Sequence, residues 1–129
     1  MPRERFSENH TFLPKRAFLS FEEIEKVVRS CMSLGLEKVR ITGGEPLLRK
    51  DLPNLIEMLS ALGIEIALTT NASLLKKYAK DLHSAGLTRV TVSLDALDPE
   101  LHRTMSDSNI SVESILEGID EAIHVGLSP

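Results

Sequence analysis

Four glycines punctuate this chain at the same point of a repeating unit. Gly35, Gly63, Gly86 and Gly126 each follow a stretch whose apolar residues recur at helical spacing, and each is followed directly by Leu or Ile. Glycine in that place ends a helix because it takes a left-handed conformation with no Cβ in the way. After the first three, the period changes from that of a helix to that of a strand, over Lys38–Thr42, "IEIALTT" and "RVTVSLD". Strands separated by a helix run parallel and are joined by crossovers. The order therefore predicts an α/β fold with a parallel sheet, doubly wound or barrel-like. Such a sheet needs both faces covered and both edges managed, and three strands are few for that. The fourth glycine stands in "VGLSP", where the same unit announces a further strand. Residues 1–129 are thus expected to form a piece of a larger parallel β/α fold.

Local chemistry sets the expected boundaries. Ser20 and Glu23 have capping-box spacing, ahead of a helix to Met32 with Ile24, Val27, Val28, Cys31 and Met32 on its inner stripe. A second helix runs from about Asp51 to Leu62, with Pro53 in its first turn and Leu52, Leu55, Ile56 and Leu59 inside. A third carries Leu75, Tyr78, Ala79 and Leu82. A short helix over Pro99–Met105 precedes a last one from near Ser111, with Val112, Ile115, Leu116, Ile119 and Ile123 inside. The residues before Ser20 are irregular and offer no opening strand.

Composition removes several classes of function. A net charge of −4 gives no electrostatic support to a nucleic-acid or anionic-membrane partner. The basic "PKR" at 14–16 and "LLRKD" at 47–51 read as short solvated patches. No apolar run is long enough to span a bilayer, and "MPRERFSENH" lacks the apolar centre of a secretory leader. A cytoplasmic protein is the expectation. The single cysteine, Cys31, makes neither an internal disulfide nor a cysteine-only metal site; on its helical stripe it reads as a packed thiol. His10, His83, His102 and His124 lack metal-ligand spacing and read as surface residues. Spacing assigns no catalytic residue and no metal ligand.

The chemistry is expected where parallel strands end. Those ends read Thr42-Gly43-Gly44-Glu45, Thr69-Thr70-Asn71 and Ser93-Leu94-Asp95. Asn71 and Asp95 could simply cap the segments that follow. Together, the three ends gather uncharged donors and acids suited to a polar, neutral-to-cationic small molecule. Gly43 and Gly44 let a ligand approach bare backbone, and Glu45 could pair with an ammonium through charge-assisted hydrogen bonds; the alternative is a tight turn with a solvated acid. Neither a P-loop nor a dinucleotide fingerprint is present. Arg40 alternates with Val39 and Ile41, on the face of Thr42. A charge within a parallel strand needs a partner: a bound anion, a carboxylate of the core, or solvent at an edge. Thr69 shares a face with Glu65 and Ala67, opposite Ile64, Ile66 and Leu68.

At this point "VRITGGEPLLRKDL", "ALTTNASLL", "AGLTRVTVSLDALDPELH" and "ILEGIDEAIHVGLSP" together resemble the GTP 3′,8-cyclase family, radical S-adenosylmethionine enzymes of molybdenum cofactor biosynthesis. The resemblance covers essentially all 129 residues. It implies an incomplete β/α barrel and a radical rearrangement of GTP, begun when a [4Fe-4S] cluster cleaves S-adenosylmethionine. By motif it implies S-adenosylmethionine contacts at Gly44 and Ser93, with Glu45 and Asn71 in the same segments, and GTP contacts at Arg40 and Thr69. A possible homo-oligomer through exposed strand edges completes the expected partners. The family's cysteine motif precedes a Met-Pro pair, here Met1-Pro2, so the cluster ligands are absent from these residues and the chain alone is expected to be inactive. Ala72 stands where many members have glycine.

Overall fold

The computed structural model describes residues 17–106 and 108–128. The expectations on His10 and on "PKR" at 14–16 lie outside them. Helix α1 (Phe21–Met32) opens on the expected capping box. Ser20 N donates to Glu23 Oε2 at 2.7 Å and Glu23 N donates to Ser20 Oγ at 3.2 Å. Strand β1 (Lys38–Ile41) is followed by one 3₁₀ turn, Pro46–Leu48, that periodicity did not announce. Helix α2 (Leu52–Ser60), β2 (Glu65–Thr70), α3 (Leu75–Ser84), β3 (Arg89–Val92), α4 (Pro99–Ser106) and α5 (Val112–His124) complete the order. The strands are one to three residues shorter than the expected runs.

The three strands form one parallel sheet in the order β1-β2-β3. Gly35, Gly63, Gly86 and Gly126 all have positive φ, between 76° and 102°. The fourth glycine does lead back to the sheet: Ser128 makes a single parallel bridge beside Arg89. Ser128 N donates to Thr88 O at 3.1 Å and Val90 N donates to Ser128 O at 2.9 Å.

Register divides the sheet into two chemically distinct faces. Val39, Ile41, Ile66, Leu68, Val90 and Val92 take one side, and Ile66, Leu68 and Val90 are buried. They pack with Leu55, Ile56, Leu59, Leu75, Leu82 and Ile115 from the helices. Full burial of each such side chain contributes roughly 1.5–3 kcal/mol, so this layer supplies the main stabilisation. Lys38, Arg40, Glu65, Ala67, Thr69, Arg89 and Thr91 take the other side. Among the described residues no helix is long and apolar enough to cross a membrane.

Several expected inner positions fall elsewhere. Val27, Leu116 and Ile123 are exposed. On α5 Val112 and Ile115 are buried as expected, and Gly118 and Ala122 complete the buried face. The reason is close approach: a Cβ on Gly118 would stand 3.2 Å from Ala72 O and 3.2 Å from Leu75 Cβ. Small residues therefore set which side of α5 meets α3. His102, expected at the surface, is buried. Arg49 is not merely solvated: its Nη2 donates to Leu19 O at 2.6 Å and its guanidinium lies 4.6 Å from the Phe21 ring centroid.

Candidate functional site

Because the strands are parallel, their carboxyl ends deliver three loops to one rim. The first loop is the most open. Gly43 has φ +147°, and a Cβ on either Gly43 or Gly44 would meet no atom within 4 Å. Both glycines are exposed. A bare backbone beside free space at a strand end is what a small polar ligand needs for close approach.

Glu45 organises that loop from below. Its Oε1 accepts from Leu47 N at 3.0 Å and from Thr70 Oγ1 at 2.7 Å, and its Oε2 accepts from Asn71 N at 2.8 Å. The acid thus caps the 3₁₀ turn and ties the end of β1 to the end of β2. Thr70 continues the connection. Its hydroxyl also accepts from Ala72 N at 3.0 Å, and its carbonyl accepts from Ser93 N at 2.9 Å. One carboxylate and one threonine therefore join all three loops. Thr70 was not singled out from the sequence. Its place, one residue before Asn71 on the apolar face, carried no signal without the register.

Arg40 stands on the polar face of β1, opposite Ala67 of β2. Its Nη1 donates to Thr69 Oγ1 at 3.2 Å and to Thr91 Oγ1 at 2.8 Å. The side chain is exposed on an edge strand of the described sheet, so its charge meets solvent there and has no core carboxylate, and it is open to an anion. Lys38 on the same face donates to Glu65 Oε1 at 2.7 Å. That hydrogen bond holds the Glu65 carboxyl below its ordinary range; desolvation opposes it, and the fields of Lys38, Arg89 and Arg40 add to it.

Ser93 is exposed one residue past β3, anchored through its amide to Thr70. Asn71 is half-buried, and its Oδ1 accepts from Ser73 N at 3.0 Å, a local turn of the capping kind. Asp95 does not cap α4; Asp98 does, with Oδ1 accepting from Leu101 N at 2.8 Å. Asn71 and Asp95 instead line a cavity of about 410 Å³ at the rim, with His102, Met105, Ile110 and Ile115. A larger cavity of about 700 Å³ opens between residues 47–54 and α3. It contains none of the six candidate residues, and its lining lacks convergent groups from the strand ends. Chemistry favours the rim over volume here. The structure brings Glu45, Asn71 and Ser93 together through Thr70, and Arg40 to Thr69, with Gly44 on the open loop.

Among the described residues no group of three or more His, Cys, Asp or Glu is placed to hold a metal ion. Cys31 is half-buried on α1.

Comparison with known proteins gives the family. The Radical SAM superfamily profile matches residues 5–129. A GTP 3′,8-cyclase of Acidothermus cellulolyticus is 50% identical over 131 residues, covering 100% of this chain and 36% of that protein. The GTP 3′,8-cyclase of Staphylococcus carnosus is 50% identical over 128 residues, covering 98% of this chain and 38% of that protein. One from Staphylococcus epidermidis is 48% identical over the same length. The chain thus spans little more than a third of the curated relatives it matches. With a parallel β/α sheet and a Gly-Gly-Glu-Pro turn at its rim, this chain belongs to the radical S-adenosylmethionine superfamily.

Proposed function

We propose that this rim binds the reactants of a GTP 3′,8-cyclase. S-adenosylmethionine would lie against Gly44 and Ser93, and GTP against Arg40 and Thr69. The observation that carries the reading is the pairing of two unlike surfaces on one sheet. An open glycine backbone ends β1, and an exposed guanidinium, held by threonine hydroxyls, stands on the same strand. The first suits the ammonium and carboxylate of an amino-acid-like ligand, and the second suits phosphate. The names of the relatives agree with the second, and the family profile with the first.

Glu45 has a dual part in this reading. Its three hydrogen bonds fix the glycine turn, and Oε2, with one bond, keeps acceptor capacity toward an α-ammonium over Gly44. Asn71 shapes the neighbouring turn and retains its amide donors.

The superfamily implies a [4Fe-4S] cluster beside S-adenosylmethionine, and such clusters are held by cysteine thiolates. One cysteine in 129 residues, placed on α1, does not fit that ligand set. No step through the cluster is therefore derived from these residues, and the isolated chain is expected to bind without turning over. The outer side of β1 pairs with no strand among the described residues. Pairing there with a second copy is the partner expected besides the small molecules, and sedimentation at rising concentration reads it.

Calorimetric titration of the chain with S-adenosylmethionine tests the reading. A saturable heat, lost in Gly44→Val and Ser93→Ala, is the expected result. No saturable heat, or a heat indifferent to both substitutions, would refute it.

A further inference from the structure

Thr91 is the feature that neither the motifs nor the relatives' names account for. It lies on β3, one strand beyond Thr69, and the register pairs the two threonines directly. Arg40 reaches both. Its partner in register is Ala67, which is fully buried although it belongs to the polar face. A methyl at that position leaves room for the arginine side chain to cross β2; a larger one would stand in its way. The hydrogen bond to Thr91, at 2.8 Å, is the shorter of the two.

The geometry has a chemical consequence. Nη1 donates to two hydroxyl oxygens, one on β2 and one on β3. Nε and Nη2 have no partner among the described residues. That edge of a guanidinium is the fork that matches two oxygens of a phosphate. A flexible arginine has many rotamers, and fixing it in advance reduces the ordering cost of binding. The charge on the face agrees. Lys38, Arg40 and Arg89 stand there against Glu65 alone, so the face has an excess of two positive charges.

We infer that Thr91 is a positioning residue for GTP: it holds Arg40 Nη1 so that the Nε–Nη2 edge faces the triphosphate. The inference rests on the reading of Arg40 and Thr69 as GTP contacts. The Thr91 hydroxyl bonds Arg40 and makes no contact with the nucleotide in this arrangement. It acts by removing freedom from the guanidinium, not by adding charge.

The test uses the full chain, titrated calorimetrically with GTP and separately with S-adenosylmethionine. Thr91→Val removes the hydroxyl at nearly constant shape, and Thr91→Ser keeps it. Thr91 is exposed, so both variants should fold, and thermal unfolding checks that. Loss of a restraint on an exposed guanidinium, at the scale of an ordinary net hydrogen bond, should raise the GTP dissociation constant about threefold to tenfold in Thr91→Val, with Thr91→Ser within about twofold. S-adenosylmethionine binding should not change. The side-chain NMR signals of Arg40 should lose their separate Nη resonances in Thr91→Val and keep them in Thr91→Ser. Inorganic triphosphate should show the same ranking as GTP. If Arg40→Gln loses GTP while Thr91→Val binds it like the parent, the inference fails and the reading of the site stands. If Thr91→Val weakens both ligands alike, Thr91 is a structural residue only and the inference fails. If the unaltered chain does not bind GTP, the reading of the site fails and the inference falls with it.

Discussion

Replacing Glu45 by glutamine keeps the size of the side chain and removes its charge, and it should destabilise the chain by about 2–4 kcal/mol. The magnitude follows from the three bonds. A glutamine oxygen could keep the bonds from Leu47 N and Thr70 Oγ1 that Oε1 now accepts. Its NH₂ would then face Asn71 N, which lies 2.8 Å from Oε2, and two donors would oppose each other. A hydrogen bond to a charged group contributes about 1.5–3 kcal/mol net, and the two retained bonds weaken when the charge goes. Thr70→Val tests the same connection from its other end. It leaves Ala72 N, in a buried residue, without its acceptor, at a cost of about 1–3 kcal/mol. The two sites share a bond, so their effects should fall short of additivity by about 1 kcal/mol. Urea unfolding followed by circular dichroism measures the two single variants and the double variant through the midpoint at constant slope. Amide exchange at Asn71 should accelerate in Glu45→Gln, about tenfold per 1.4 kcal/mol. Stability of Glu45→Gln within about 0.5 kcal/mol of the parent, with Asn71 exchange unchanged, would show that the carboxylate is merely solvated, since surface changes stay within that range.

Two further perturbations test other parts of the account. Gly86→Ala meets both a φ of +102° and Ser60 Oγ at 2.2 Å from the new Cβ, so it should cost about 3 kcal/mol or more by urea unfolding, with partial recovery in the Ser60→Gly background. Glu65 has its carboxyl held below its ordinary 4.5, first by the Lys38 hydrogen bond. A depressed folded value gives stability that is complete above 4.5 and is lost as pH falls through the lower folded value. Lys38→Met should remove that acid-side component from the urea midpoint measured between about pH 6 and pH 3, leaving the neutral side little changed.

The repeating helix–glycine–strand unit made the fold legible because each signal is local. The capping box at Ser20, the left-handed glycines and the alternation in β2 each depend on residues a few positions apart. The alternation that separates Arg40 and Thr69 from their apolar neighbours was legible for the same reason, but which face is open to a ligand was not, and the meeting of the two residues follows only from the register. What was hidden depends on register and packing. Glu45 bonds to residues 25 and 26 positions away, and Arg40 to one 51 away. No local pattern states those pairings, so Glu45 read as an acid free for a ligand and Thr70 and Thr91 went unmarked. Helix α5 was read in part: Val112, Ile115 and Ile119 lie inside as expected, but Gly118 and Ala122 complete that face in place of Leu116 and Ile123. His102 is the other case. It is 4% exposed, and its Nδ1 has no hydrogen-bond partner among the described residues, a burial that no spacing rule would assign to histidine. Ala72 completes the picture: it holds φ +61° in the turn after β2, the conformation in which glycine is at ease.

The central claim is that one rim carries two neighbouring binding surfaces, and residue-resolved NMR of the chain titrated with each ligand tests it most directly. S-adenosylmethionine should shift the amides of Gly43, Gly44, Asn71 and Ser93. GTP should shift the Arg40 side chain with Thr69 and Thr91. Each set should still respond when the other ligand is already present. Shifts confined to residues 47–54, Tyr78 and Leu82, which line the larger cavity, would contradict the account, as would one ligand displacing the other from a single shared set.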